Sequence, residues 1–270
     1  MDHKKVRIGA VSYLNTKPLV YGLAESTPNA TVTFDLPSRL ADRLNKGDLD
    51  VALIPSIEYF QNPNYTIVSD ACIGCRGPVL SVKLFFRRAP GDVRTMALDE
   101  GSRTSVVLAR ILLEHRFGVR PRFEGLPIGE GLAGTTADAV LLIGDRAMRP
   151  DEDSFVEVWD LGQQWCDWKE LPFVFAMWVA RNNEDVDRIE FALASARDLG
   201  EANLENIAAQ EAAQAGMSFE ECLGYLRDSL YFHFGQREQA GLTEFRRLAS
   251  ALGLAPAAEW PLHNHDRETA

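Results

Sequence analysis

The chain has 270 residues, of which 46% are hydrophobic, so it can bury a large core as one big domain or as two domains of ordinary size. Its formal charge of −11 argues against a general nucleic-acid binder, because such a protein needs a clustered basic surface to neutralise phosphates. The apolar run after the basic residues of the amino terminus is too short for a signal peptide or a membrane span. We therefore expect a cytoplasmic protein without nucleic-acid or membrane partners. A small anionic ligand is still possible, provided that the attraction is local.

The first predicted elements are a strand and a helix joined by a polar turn. The apolar run Val6 to Val11 predicts the strand, and the octapeptide SYLNTKPL follows it at residues 12–19. Pro18 suits the first turn of a helix, and Thr16 just before it can cap that helix. Because open α/β sheets bind ligands where a strand ends in such a turn, the octapeptide is a candidate anion site; a capped connection without function is the alternative.

Next comes a helix from Arg39 to Asn45 with Ser38 as its cap, and then a strand from Asp50 to Ile54. Ser56 after that strand is the expected cap of a second short helix, which repeats the opening arrangement. Strands that alternate with helices in this way predict a parallel sheet with helices packed on it.

A second α/β unit follows a break at residues 89–92. An apolar strand at 79–87 precedes the break. The second unit has predicted strands at 95–98, 139–143 and 173–180, with a helix that opens at 102–105 and stops at Gly118. Two such units joined by two crossings predict a bilobed protein with a cleft between the lobes. We expect lobe one at residues 1–88 plus 181–270 and lobe two at residues 89–180.

Cys72 and Cys75 form a C-x-x-C pair in a segment broken by Gly and Pro that leads into a strand. A zinc site would need two more ligands at matching spacing, and Cys166 and Cys222 stand alone in the sequence. A thioredoxin-like motif would open a helix after a strand. We favour structural thiols over a functional pair.

Three predicted helix starts offer free backbone N–H groups beside hydroxyl side chains, at residues 15–18, 55–56 and 102–105. Each can grip a carboxylate without a net positive charge, and ordinary capping is the alternative for any single one. Three of them in one bilobed chain favour a cleft for a small anion.

Four side chains near these segments carry the candidate chemistry. Arg103 can bind a carboxylate through two bonds or remain a solvated first-turn residue. Asn15 can orient a hydroxyl or hold an enolate-like oxygen, unless it bonds its own backbone. Ser81 lies in an apolar strand and needs a partner, which a ligand, the backbone or water can supply. Asp145 is a candidate for proton transfer, although such a residue is more often a cap or part of a surface pair.

Six blocks of the sequence resemble, in family order, the MqnA family of menaquinone biosynthesis, the chorismate dehydratases. The blocks are SYLNTKPL at 12–19, DVALIPSIEY at 50–59, SVKLFF at 81–86, LDEGSRTS at 98–105, LIGDR at 142–146 and LPFVFAMW at 171–178. The resemblance implies an α/β, two-lobed periplasmic-binding-protein-like fold of the second type, in which each lobe is a mixed sheet flanked by helices. It also implies removal of water from chorismate to give 3-[(1-carboxyvinyl)oxy]benzoate, the entry step of the futalosine route.

On this resemblance, Asn15, Ser81 and Asp145 are expected to serve catalysis. The side chains expected to hold the dicarboxylate are Ser12, Tyr13, Thr16, Ser56, Arg103, Thr104 and Ser105. Formation of an aromatic ring makes the reaction downhill, so no metal or redox cofactor is expected. The base is left open between Asp145 and the enolpyruvyl carboxylate of the substrate, and we favour the carboxylate because the motif side chains are mostly neutral.

Two other functions use the same features. A non-catalytic small-anion binding protein commonly has this fold but would normally be exported, and an MqnD-type enzyme of the same pathway acts on a cyclised futalosine product. The octapeptide fits the MqnA pattern better than that sister family. The sequence leaves open whether the protein is a monomer or a homodimer.

Overall fold

The computed structural model describes residues 5–148, 153–181 and 187–257. Its strands, in chain order, are β1 Val6–Val11, β2 Ala30–Asp35, β3 Val51–Pro55, β4 Tyr65–Cys75, β5 Val82–Phe86, β6 Thr95–Asp99, β7 Arg122–Leu126, β8 Ala139–Ile143, β9 Glu157–Asp160, β10 Phe173–Arg181 and β11 Tyr231–His233. The α-helices are α1 Leu23–Ser26, α2 Pro37–Lys46, α3 Ser56–Tyr59, α4 Thr104–Phe117, α5 Leu161–Lys169, α6 Asp187–Glu201, α7 Leu204–Glu211, α8 Phe219–Gly224 and α9 Gln236–Ala251. None of the helices in these ranges is long and apolar enough to cross a membrane.

The strands form two mixed sheets with helices packed on them. The first sheet has the order β11-β4-β10-β3-β1-β2, in which β1 runs parallel to β2 and β3 while β10 and β11 run antiparallel to their neighbours. The second has the order β7-β6-β8-β5-β9, with β6 parallel to β7 and β8 and with β5 antiparallel to β8 and β9. The expected pair of mixed sheets flanked by helices is confirmed.

Strand pairing differs from the lobe ranges expected from the sequence. The ranges put β5 in lobe one and β10 in lobe two, whereas β5 pairs in the second sheet and β10 in the first. The chain crosses between the sheets at residues 76–81 and 170–172, so the break at 89–92 lies inside the second unit. Residues 1–4 and 258–270, at the ends of the expected lobe one, lie outside the described ranges.

The segment around Cys72 and Cys75 is a strand, contrary to the Gly/Pro-broken connection expected from the sequence. Both thiols are free and buried in β4, between β10 and β11. Gly74 has a packing role there, because a Cβ on it would lie 3.0 Å from the Phe173 carbonyl oxygen of β10. The absence of a side chain at Gly74 therefore allows the two strands to pair closely.

The expected caps at Thr16, Ser38 and Ser56 are also wrong. Thr16 lies inside a 3₁₀ segment, Leu14–Val20, and is fully buried. Ser38 is the second residue of α2, and its Oγ donates to the Glu100 carbonyl at 3.0 Å, across to the second unit. The hydroxyls of Ser38 and Ser56 donate to distant backbone carbonyls, which local sequence cannot show. The Thr16 hydroxyl donates to the neighbouring Asn15 side chain.

The crossover helix α5 is fixed by an aromatic cluster. The Trp165 ring lies edge-on to Phe173 of β10 and to Phe245 of α9, with ring centroids 5.2 and 6.2 Å apart. Its Nε1 donates to the Pro172 carbonyl at 3.1 Å. The second crossing of the chain is therefore rigidly packed against the first sheet.

Helix α6 packs closely against the 3₁₀ segment Leu14–Val20. A Cβ built on Gly200 of α6 would lie 2.0 Å from the carbonyl oxygen of Pro18, a distance that backbone atoms cannot tolerate. Only glycine therefore permits this approach, which sets the position of the octapeptide.

We expect Gly200→Ala to lower the free energy of unfolding by about 2–3 kcal/mol, because the methyl group forces α6 away from Pro18. This loss outweighs the gain of up to about 1 kcal/mol that Ala brings to a helix. Gly131→Ala is the control, since a Cβ there meets no atom within 4 Å. Denaturant unfolding of both variants measures the difference, and equal stability would contradict the close contact.

Candidate active site

A cavity with an empty volume of about 510 Å³ lies between the two sheets. Its apolar wall includes Pro55, Ile73 and Ala176 from the first sheet and Val82 and Ile143 from the second. The predicted site residues that line it are Tyr13, Asn15, Ser81, Arg103, Thr104 and Ser105. The expected cleft between two units is therefore present, and it gathers side chains from all six sequence blocks.

Asn15 reaches the cavity from the 3₁₀ segment that follows β1. The residue is 9% exposed, and its Oδ1 accepts a hydrogen bond from Thr16 Oγ1 at 3.3 Å. Thr16 does not line the cavity, so its hydroxyl acts by orienting the Asn15 amide. The amide thus faces the cavity in a fixed orientation.

Ser81 lies in the first crossing segment, and its backbone is held on both sides. Its N–H donates to the Val79 carbonyl at 2.7 Å, and its carbonyl accepts from Gly144 N at 2.8 Å. Its Oγ is buried and has no hydrogen-bond partner in the described structure. A buried hydroxyl in a cavity wall without a partner is placed to receive one from a ligand.

Asp160 organises the turn before Ser81, and the sequence reasoning missed it. Its carboxylate accepts from Val79 N at 3.0 Å and from Leu80 N at 2.7 Å, and it also caps α5 through Gln163 N at 3.0 Å. Leu80 has a left-handed φ of 61°, a backbone conformation that residues other than glycine rarely adopt. The carboxylate compensates this strain and fixes the position of Ser81. An acidic residue at the start of a helix was the only sequence signal.

The hydroxyls of Ser56 and Thr104 connect the two units below the cavity. Ser56 Oγ donates to the Val174 carbonyl at 2.7 Å and lies 3.3 Å from Thr104 Oγ1. Thr104 Oγ1 in turn accepts from Ile57 N at 3.2 Å. Ser56 is fully buried behind Thr104, whereas Thr104 and Ser105 line the cavity at the start of α4.

Arg103 lines the cavity, but two carboxylates already bind its guanidinium. Its Nη2 lies 2.6 Å from Asp42 Oδ1, and its Nη1 lies 3.0 Å from Glu58 Oε2. Burial raises the pKa of the Glu58 carboxyl, and Arg103 opposes that rise. Arg103 therefore ties α4 to α2 and α3, a different contact from the expected bond to a ligand carboxylate.

Asp145 follows β8 and contacts the octapeptide without lining the cavity. Its Oδ1 accepts from Leu14 N at 3.3 Å. Burial raises the pKa of the Asp145 carboxyl, while the Leu14 N–H and the charge of Lys17 oppose the rise. The geometry gives Asp145 a role in joining the 3₁₀ segment to the second unit.

The remaining two predicted residues differ in position. Ser12 is exposed, and its N–H donates to the Asp35 carbonyl at 3.1 Å, so its side chain lies away from the cavity. Tyr13 is half-buried, and its ring covers Gly144, where a Cβ would lie 2.7 Å from Tyr13 Cε1. Burial raises the pKa of Tyr13, which therefore stays a neutral phenol. Tyr13 is a wall of the site and Ser12 is not.

Within the described ranges, no group of three or more His, Cys, Asp or Glu side chains is arranged to hold a metal ion. The polar part of the cavity consists of the Asn15 amide, hydroxyls, the start of α4 and the Arg103 guanidinium, which is already paired with two carboxylates. Free N–H groups and the positive end of the helix dipole at such a start favour a negatively charged group.

Two solved structures resemble this fold. Protein AF1704 from Archaeoglobus fulgidus matches with a TM-score of 0.77 at 16% identity, over 94% of this chain and 100% of that one. The periplasmic aliphatic sulphonate binding protein SsuA from Escherichia coli matches with a TM-score of 0.65 at 15% identity, over 97% and 91%. At these identities the likeness shows the fold alone, which is the periplasmic-binding-protein-like fold that the sequence blocks implied.

Sequence comparison goes further than fold. Residues 6–251 match the family model for menaquinone biosynthesis. A chorismate dehydratase from Thermus thermophilus is 32% identical over 265 residues, which cover 92% of this chain and 95% of that protein. Because the family model and this relative both align over most of the chain, the chain belongs to the menaquinone biosynthesis family.

Proposed function

We propose that the chain is a chorismate dehydratase, which removes water from chorismate to give 3-[(1-carboxyvinyl)oxy]benzoate. One observation carries the proposal: the Asn15 amide and the unpartnered Ser81 hydroxyl line one cavity between the sheets. The relative from Thermus thermophilus, 32% identical, bears the name of this activity. Loss of water changes no overall oxidation state, so an enzyme for it must bind, orient and move one proton.

The backbone N–H groups at the start of α4, and not a charged side chain, are the groups to which we assign binding of the dicarboxylate. Helix α4 has 14 residues, and its first turn, with Thr104 and Ser105, lines the cavity. The first N–H groups of a helix have no partner within it and point along the dipole. They can hold one carboxylate of chorismate, while Arg103 remains bound to Asp42 and Glu58.

Proton removal is assigned to the enolpyruvyl carboxylate of the substrate. Asp145 does not line the cavity, and its carboxylate already accepts from Leu14 N. Asn15 and Ser81 are neutral hydrogen-bonding groups. They can hold the substrate in its reacting conformation and stabilise the negative charge that develops on it. The buried, apolar surroundings strengthen those hydrogen bonds because little water competes.

The purified chain is expected to convert chorismate into an aromatic product that ultraviolet absorbance follows and mass spectrometry identifies by the loss of one water. Calorimetry in parallel measures binding. Tight binding with unchanged chorismate would support a small-anion binding protein instead. If the chain neither binds nor converts chorismate, that result would favour the MqnD-type reaction.

We expect Asp145→Asn to change kcat by less than about tenfold, because this carboxylate holds the Leu14 N–H and an amide oxygen can do the same. Loss of a general base would cost about 10²–10⁴-fold. Asn15→Ala is the comparison, with kcat about 10²–10³-fold lower if its amide stabilises developing charge. A fall of three orders of magnitude in Asp145→Asn, with KM unchanged, would assign the base to Asp145.

The Arg103–Glu58 ion pair is expected to contribute to the free energy of unfolding and not to substrate binding. A double-mutant cycle of Arg103→Met and Glu58→Gln should give a coupling of about 1 kcal/mol in the free energy of unfolding, since the pair is only partly exposed. KM for chorismate should change less than about threefold. Additive stabilities, together with a large rise of KM in Arg103→Met alone, would instead show that Arg103 binds the substrate.

A further inference from the structure

Tyr225 lies far from the sequence blocks and yet sits behind the cavity. It begins a π-helical turn, Tyr225–Ser229, that directly continues α8. Such turns are rare and are frequently found at functional sites. The side chain is 1% exposed, and its Oη has no hydrogen-bond partner in the part of the chain that the structure describes.

Two neutral residues of the cavity wall, Ser81 and Asn15, lie beside Tyr225, and the Asp145 carboxylate is close enough to raise its pKa further. Burial raises the pKa of Tyr225, while the side chains of Ser81 and Asn15 beside it oppose that rise. The phenol is therefore always protonated and can act only as a hydroxyl. It is a donor or an acceptor of a hydrogen bond and not a base.

Tyr225 Oη and Ser81 Oγ are thus both buried and lie beside each other, and within the described residues neither one meets the distance and angle of a hydrogen bond. Burying a hydroxyl that makes no hydrogen bond costs stability, so each such group in a native fold needs an explanation. Ser81 lines the cavity and Tyr225 does not. A ligand oxygen that engages Ser81 would complete a chain of hydrogen bonds from Tyr225 into the cavity.

We propose that Tyr225 is a positioning residue for the dehydration, acting through Ser81; this inference rests on the proposed function. When substrate is bound, Tyr225 Oη–H donates to Ser81 Oγ, which directs the Ser81 proton toward the hydroxyl that leaves the substrate. The C–H bond breaks, its electron pair forms the ring double bond, and the C–O bond breaks. The proton taken by the substrate carboxylate leaves with the hydroxide as water, so Ser81 and Tyr225 keep the protons with which they started.

Tyr225→Phe tests the inference, because it removes only the hydroxyl. We expect kcat to fall about 10–50-fold with KM within threefold, and the Tm to stay equal or rise, since an unpaired buried hydroxyl is lost. A hydroxyl with a purely structural role would lower the Tm and leave kcat unchanged. The control is Tyr59→Phe, an equally buried tyrosine outside the cavity, which should keep the kcat of the unaltered chain.

A double-mutant cycle with Ser81→Ala shows whether Tyr225 acts through Ser81. The double variant should lose no more kcat than Ser81→Ala alone, because the hydroxyl that Tyr225 orients is already gone. Additive losses, or wild-type kcat in Tyr225→Phe, would overturn this inference alone. No turnover of chorismate by the unaltered chain would overturn the proposed function and this inference together.

Discussion

The site depends on one close backbone contact, in which α6 lies directly against the segment that carries Asn15. Gly200 makes the contact, since any Cβ there would meet the Pro18 carbonyl. On the opposite side, Asp145 accepts from Leu14 N and joins the same segment to the second unit. The orientation of Asn15 therefore follows from how the two sheets and α6 are packed, and a small shift of either would move its amide.

Charged side chains around the cavity are paired with one another, which leaves neutral groups facing it. Arg103 binds Asp42 and Glu58, and Lys17 binds Glu211 at 2.9 Å. The start of α4 supplies the remaining attraction through backbone dipoles. Dipoles act within the first turn and salt screens distant charges, so a chain with a net charge of −11 can still bind a dianion here.

The buried hydroxyls of Ser81 and Tyr225 are arranged for a reaction at some cost to stability. Asp160 holds the strained turn at Leu80, and that turn fixes the backbone of Ser81. Within the described ranges, neither hydroxyl makes a hydrogen bond. A substrate that supplies the missing partner needs little reorganisation of the site, and such preorganised hydrogen bonds stabilise developing charge better than mobile ones do.

Local sequence patterns predicted β1 and β8 to the residue, because a short, mostly apolar run that ends in a polar turn favours a buried strand. The motif blocks likewise identified Asn15 and Ser81, which do line the cavity. Tertiary structure alone decided the strand at β4, the pairing of Arg103 with two carboxylates and the place of Tyr225 beside Ser81. The physical reason is that composition and periodicity encode burial and turns, whereas contacts between residues far apart in the chain are set by sheet order and by the close approach of backbones.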